Sequence, residues 1–176
     1  DAVKDRAAKG AAEGLVVQAL TQTGGRGRHG NVWDSPMGNL YMSVLLRPAC
    51  SAALAGQISF VAAVALSKAM DKFVSRKHIK TLKWPNDILI DNKKCAGILL
   101  ESELGKDGAV EWLALGIGVN ILSPPPDRIG LKDTMGSQKR LAIHPFRDVV
   151  LEEFQNHYDA WRVKGFAPIC KTWLKQ

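Results

Sequence analysis

The sequence predicts an α+β domain, a mainly antiparallel mixed sheet backed by helices, and three observations carry that reading. Residues 14–22, 40–48, 79–84, 87–104 and 110–121 hold apolar, partly β-branched runs bounded by turn residues, the pattern of strands. One of them, 87–104, doubles back around Asp91-Asn92 and reads as a hairpin of two strands. Two longer stretches, 53–74 and 145–165, space their apolar residues as helices do. With 176 residues, 46% of them hydrophobic, the chain suits one domain, taken as 1–176, with a sizeable core.

In chain order, "DAVKDRAAKG" is a helix closed by Gly10, and "GLVVQALTQ" (14–22) is a strand. "GGRGRHG" (24–30) follows, a glycine loop that can pack no core, then the turn-rich "NVWDSPMGN" (31–39). "LYMSVLLRP" (40–48) is a strand ended by Pro48, and 53–74 is one long helix lying across the sheet. Its apolar run 54–70 is interrupted by Gln57, Ser59 and Ser67, falls short of a membrane span and reads as buried. "IKTLKW" (79–84), the hairpin 87–104 and "VEWLALGIGVNI" (110–121) complete the strands; "SPPPDRIG" (123–130) is a loop, since proline removes donors. The last helix starts on Pro145 and closes at Gly165, with Phe146, Val149, Val150, Phe154, His157, Tyr158 and Trp161 on one stripe. The chain opens on Asp1 inside a helical pattern and ends at "CKTWLKQ" without a stop signal, so both ends are expected to be trimmed.

Lys and Arg number 24 against 17 acids, a net charge of +7 that suits anionic ligands such as phosphates or nucleic acid. The excess is spread out; "SRKHIK" (75–80) and "KDTMGSQKR" (132–140) are its short clusters. Cys50, Cys95 and Cys170 form no CxxC and no even-numbered framework, which points to a reducing, cytoplasmic compartment. His29, His78, His144 and His157 lack metal-ligand spacing. Aromatic residues are only 7% of the chain, too few for the stacking platform of a nucleic-acid module, and one RG loop between strands is unlike the repeats of disordered RG tails.

Three constellations carry chemistry. In "QTGGRGRHGNVW" (22–33), successive glycine N–H groups form an anion site, and Arg26 and Arg28 can grip phosphate or carboxylate through paired bonds. It is neither a P-loop, lacking Lys-Ser/Thr, nor a dinucleotide fingerprint, since a strand follows it. In "KWPND" (83–87) a rigid Pro85 presents Asn86 and Asp87, suited to hydrogen bonding and to a hydrated magnesium ion; alone, it would read as an Asx turn. In "KKCAGILLES" (93–102) and "LGIGVN" (115–120), Lys94 enters an apolar strand, while Gly97, Gly116 and Gly118 mark close approach of a ligand or another backbone.

Together these stretches resemble the biotin protein ligase family: "GRGRHG" its ligand loop, "KWPND" its second signature, "KCAGIL" its lysine-bearing strand, in matching order. The resemblance implies the fold of the class II aminoacyl-tRNA synthetase core. It implies an ATP-dependent biotin–protein ligase that joins biotin and MgATP as biotinyl-5′-AMP plus pyrophosphate. The biotinyl group then passes to one lysine of a biotin carboxyl carrier protein. Carried over residue by residue, Arg28, Lys94 and Asp87 are catalytic, Asp87 also holding magnesium through water. Biotin falls to Gln22, Gly25, Arg26, Arg28, Lys94, Gly97, Leu99 and Gly116. ATP falls to Arg28, His29, Trp33, Asn86, Lys94 and Asn120, with Trp33 stacking on adenine.

The chain departs from the family pattern in places. A Ser-Thr motif is expected just before Asp1, a small β-barrel domain after the chain, and both are missing from it. His29 and Asn31 stand where arginines are common. No helix-turn-helix precedes the domain, so no DNA partner is expected; nor is a membrane, while a homodimer is one arrangement open to it. The glycine loop is expected to be mobile until ligand contacts offset its ordering entropy. The alternatives are a lipoate or octanoate ligase or transferase of the same fold, a basic nucleic-acid-binding module, and an inactive fragment.

Overall fold

The computed structural model describes residues 1–136 and 141–176; the end of the basic stretch 132–140 lies outside the described residues. The elements run α1 (Ala2–Ala8), β1 (Val16–Ala19), β2 (Leu40–Leu46), α2 (Ala52–Ala55), α3 (Ile58–Asp71), β3 (Lys80–Lys83), β4 (Asp87–Ile90), β5 (Lys93–Leu104), β6 (Val110–Val119), α4 (Ile143–Lys164) and α5 (Ala167–Trp173). The described residues form a six-stranded sheet in the order β1-β2-β6-β5-β4-β3, with antiparallel pairing throughout. The mixed character expected of it shrinks to one isolated parallel bridge, Lys94 to Arg128. Asp91 and Asn92, both at positive φ, make the β4–β5 turn that their residue types suggested.

Strand alternation divides the sheet into two faces. Leu40, Met42, Val44 and Leu46 of β2, Ala96 and Ile98 of β5, and Leu113, Leu115, Ile117 and Val119 of β6 enter the main core. Across that core lie α3, α4 and α5, which is why α3 is buried nearly all round. The intervening residues of the same strands face the opposite way. There Leu45, Trp112 and Ala114 pack under Val3 and Ala7 of α1, and the rest of this face is left to the glycine loop.

The helices differ from expectation at their ends. The stretch 53–74 is two helices, because α2 stops at Gly56 and α3 begins after Gln57, whose Oε1 accepts a 2.9 Å bond from Trp161 Nε1. Residues Ala52–Asp71 do have the length and apolar composition of a membrane span, more than the interrupted run suggested. Most of that stretch is buried, however, and α3 is a core helix. α4 begins at Ile143, so Pro145 lies within its first turn, where a missing N–H costs nothing. α5 was not foreseen; it is seven residues long and is held by Phe60, whose ring meets those of Phe166 and Trp173 edge-on at 5.3 and 5.5 Å.

Arg47, just past β2, fixes α1 to the sheet. Its guanidinium donates to the carbonyls of Ala7, in the last turn of α1, Ala11, just beyond it, and Glu111 of β6, all at 3.0–3.1 Å. Arg47→Ala is expected to cost about 2 kcal/mol, the scale of hydrogen bonds to a charged group. In urea titration the midpoint should fall with the slope unchanged. Arg47→Lys should recover only part of the loss, because an ammonium lacks the planar fork.

Candidate active site

The uncovered face of the sheet floors a cleft of about 530 Å³, within the range of small-molecule sites. Its floor is a cross-strand row in which Tyr41 pairs with Gly118, Gly118 with Gly97, and Gly97 with Asp87. A second row joins Ser43, Gly116 and Leu99. The glycines admit the Trp33 ring onto the floor: a Cβ at Gly118 would lie 2.7 Å from Trp33 Cε2, and one at Gly97 2.8 Å from Cζ3. Trp33 Nε1 is buried without a hydrogen-bond partner, an unsatisfied donor inside a cleft. Lys94 Nζ stands 5.2 Å from the Trp33 ring centroid, in cation–π range.

The glycine loop forms one wall and closes on itself as a small hairpin. Trp33 N donates to the Gly25 carbonyl at 3.0 Å, Gly27 N to Asn31 at 2.7 Å, and Asn31 N to Arg28 at 3.1 Å. The loop therefore makes backbone bonds of its own besides those a ligand would add. Arg28–Gly30 is a single 3-10 turn with His29 at φ 54° and Gly30 at φ 76°. The left-handed backbone at His29 is sparsely allowed for a residue with a Cβ, and histidine is among the types enriched there.

Charge is arranged along the cleft. At one end Glu101 accepts from Lys4 Nζ at 2.8 Å and from Arg26 Nη2 at 3.2 Å, and Arg26 Nη1 also meets the Asp1 carboxylate at 2.9 Å. Partial burial pushes the Glu101 carboxyl up, but the bonds from Lys4 and Arg26 together outweigh it and hold it below its usual value. This clasp of loop, α1 and β5 therefore contributes fully at neutral pH and is lost as pH falls through the depressed carboxyl value. At the other end Lys94 Nζ pairs with Asp87 Oδ1 at 2.6 Å, both side chains about one-fifth exposed.

Gln22, Arg26, Arg28, His29, Trp33, Asn86, Asp87, Lys94, Gly97, Leu99 and Gly116 all line this cleft. Two expected residues sit behind it. Gly25 is buried in the loop hairpin. Asn120 is 1% exposed, and its Nδ2 donates to the Lys94 carbonyl at 3.3 Å, so its amide braces the lysine strand. Asn86 Nδ2 is likewise spent on the Ile98 carbonyl, at 2.7 Å, tying "KWPND" to β5. Lys4, Ser43, Glu101 and Arg128 also line the cleft and were missed. Glu101 was recoverable from alternation, being in phase with Gly97 and Leu99; Arg128 arrives only through the folding of its loop. Among the described residues no group of three or more His, Cys, Asp or Glu could hold a metal. The buried Asp87 Oδ1 is the oxygen paired with Lys94; a single carboxylate of this kind fits a magnesium ion carried largely by water and substrate phosphates. Cys95 is buried with its thiol pushed up to about 12 by desolvation, and is inert.

The sequence matches the biotin/lipoate A/B protein ligase family over residues 3–120, which hold the glycine loop, "KWPND", Lys94 and the glycine floor. The chain belongs to this family. It is 38% identical over 166 residues to the biotin–[acetyl-CoA-carboxylase] ligase of Paracoccus denitrificans, a match covering 90% of this chain and 68% of that protein. It is also 38% identical over 173 residues to the bifunctional ligase/repressor BirA of Bacillus subtilis, here covering 93% of this chain and 51% of the other. Among solved structures, the biotin protein ligase from Aquifex aeolicus in complex with biotin and ATP superposes with a TM-score of 0.80 at 28% identity. That alignment covers 97% of this chain and 71% of the Aquifex chain. The chain thus spans from half to about two thirds of the curated relatives it matches.

Proposed function

We propose that this family member is the catalytic domain of an ATP-dependent biotin–protein ligase, and one observation carries the reading. The glycine loop, Lys94, Asp87 and an unsatisfied Trp33 Nε1 converge on one glycine-floored cleft. The relatives named as biotin ligases, and the Aquifex enzyme with biotin and ATP, support it. The lipoate and nucleic-acid readings are not favoured.

In the first reaction a biotin carboxylate oxygen attacks the α-phosphorus of ATP; the bond to the β-phosphate oxygen breaks and its electron pair leaves with pyrophosphate. The carboxylate is already ionised at neutral pH, so no general base is needed. The barrier is electrostatic, an anion approaching a polyanion, and fixed cations in a shielded cleft lower it. Lys94 and Arg28 bridge the carboxylate and the α-phosphate, while Arg26, held by Glu101, sets the loop around biotin. Gln22, Gly97, Leu99 and Gly116 surround biotin; Trp33 offers the adenine a flat face and His29 lies on the nucleotide side. Gly25 and Asn120 act from behind, shaping the loop and bracing the Lys94 strand. Asp87 would hold a hydrated magnesium ion, which neutralises phosphate charge when bound. In the second reaction the ε-amine of an acceptor lysine attacks the biotinyl carbonyl, loses a proton and releases AMP, with Asp87 orienting the amine. The acceptor is a biotin carboxyl carrier domain, and the unpaired thiols fit a cytoplasmic protein.

The deciding experiment incubates the protein with MgATP, apo-carrier domain and either biotin or lipoate, reading carrier mass. Carrier modified by biotin and not by lipoate is the expected result. Lipoylated carrier, or no biotinyl-AMP from a length that includes the flanking segments, would overturn the assignment.

A further inference from the structure

We infer that Arg128 is a further phosphate-binding residue of this site, placed to hold the β- and γ-phosphates of ATP and the pyrophosphate they become; the inference rests on the ligase reading above. Three observations carry it. First, position. The cleft has two ends along β5, with Glu101 at one and Lys94 at the other, and Arg128 lines it at the Lys94 end. Its backbone pairs with that of Lys94 in the parallel bridge, and Ile129 N donates to the Lys94 carbonyl at 3.2 Å. A ligand whose α-phosphate meets Lys94 thus lies beside the 123–130 loop, and we set its leaving group on that side.

Second, rigidity. Arg128 follows Pro124, Pro125 and Pro126, which fix φ in succession, and its own N–H donates to the Pro125 carbonyl at 3.0 Å. The guanidinium is thus carried by a stiff loop bonded to β5, so little ordering is left for a ligand to induce. Third, available charge. Arg26 is committed to Glu101 and Asp1, and Lys94 to Asp87. Among the described residues the Arg128 side chain meets only the Asp127 carboxylate, through Nε at 3.1 Å. Asp127 is largely solvent-exposed, and such a pair holds its partner weakly. Both Nη groups are left to grip a phosphate side by side. Without Arg128, the loop's Arg28 would be the cation left uncommitted for three phosphates.

Pyrophosphate separates this role from a structural one, because it is a substrate only of the reverse first reaction. Wild type, Arg128→Ala and Arg128→Lys would be supplied with biotinyl-5′-AMP and compared in two assays: ATP formation at varied pyrophosphate, and biotin transfer to apo-carrier without pyrophosphate. Arg128→Ala is expected to raise the KM for pyrophosphate roughly tenfold or more, the loss of a charge-assisted pair of bonds. Arg128→Lys should raise it less, and transfer should stay within about twofold of wild type for both. An unchanged KM for pyrophosphate, or equal loss in both assays, would overturn the inference. A wild type that neither forms ATP nor transfers biotin would instead overturn the ligase reading, and Arg128's role with it.

Discussion

Lys94→Ala is expected to slow biotinyl-AMP formation by about 10²–10³-fold, the usual effect of removing one preorganised donor from developing charge. Lys94 is well placed for that role: its Nζ is fixed between the Trp33 ring and the Asp87 carboxylate at the end of the glycine floor. The loss should fall on the rate of adenylation more than on biotin affinity, since in the proposed role the lysine meets both reactants and charge on the phosphate oxygens builds only in the transition state. A folding defect is the competing explanation. Removing Lys94 leaves the four-fifths-buried Asp87 carboxylate without its cation, which destabilises by about 1–2 kcal/mol after discounting for partial exposure. The double variant Lys94→Met with Asp87→Asn removes that unpaired charge. Its melting temperature should recover toward wild type while adenylation stays low. Adenylation by Lys94→Ala at near-parent rate, measured with radiolabelled ATP, would show that the electrostatic assignment is wrong.

Much of this site was readable before the fold because its residues lie in short, chemically unusual stretches. Glycines within apolar strands, at Gly97, Gly116 and Gly118, announce a surface that something approaches closely, and the structure puts Trp33 over Gly97 and Gly118, while Gly116 makes ordinary contacts with Leu99 and Ser43. The sheet was legible for a similar reason: alternation and the Asp91-Asn92 turn are local signals. What was not legible depends on partners distant in sequence. Arg26 reads as a free ligand-binding cation, yet it is engaged by Glu101, which stands 75 residues away. Asn120 reads as a ligand contact, yet its amide goes to the Lys94 carbonyl. The stretch 53–74 reads as one helix because Gly56 alone is a weak stop inside an apolar run; the break falls at Gly56-Gln57, where the Gln57 side chain accepts from Trp161 of α4. The loop's hairpin bonds leave no trace in side-chain composition.

Gly25→Ala should abolish most activity while Gly24→Ala, one residue away, should change it by less than about twofold, in line with surface substitutions. A Cβ at Gly24 meets nothing within 4 Å. A Cβ at Gly25 would lie 2.2 Å from the Trp33 carbonyl oxygen, 2.7 Å from Ser35 Oγ and 3.0 Å from Gln22 Oε1. The first of these is backbone and cannot swing aside. That carbonyl is tied to Ser35 Oγ at 2.9 Å, and the Trp33 N–H to the Gly25 carbonyl at 3.0 Å. An added methyl must therefore part the two arms of the loop hairpin, moving Trp33 off the floor and Arg26 and Arg28 out of register. Displacement of about 1 Å in a positioned group costs on the order of 10²-fold in rate, and here several move together. The core between the sheet and α3 and α4 lies on the opposite face, so the melting temperature should fall by only a few degrees. Gly118→Ala makes the contrast sharper: its Cβ would strike the Trp33 ring, a half-exposed side chain that can rotate away, and leave the loop backbone intact. It should weaken ATP without disordering the hairpin, whereas Gly25→Ala should lose the protection of the Trp33 and Gly27 amides in hydrogen exchange. Near-parent adenylation by Gly25→Ala would mean that the closed hairpin is not the working form of the loop.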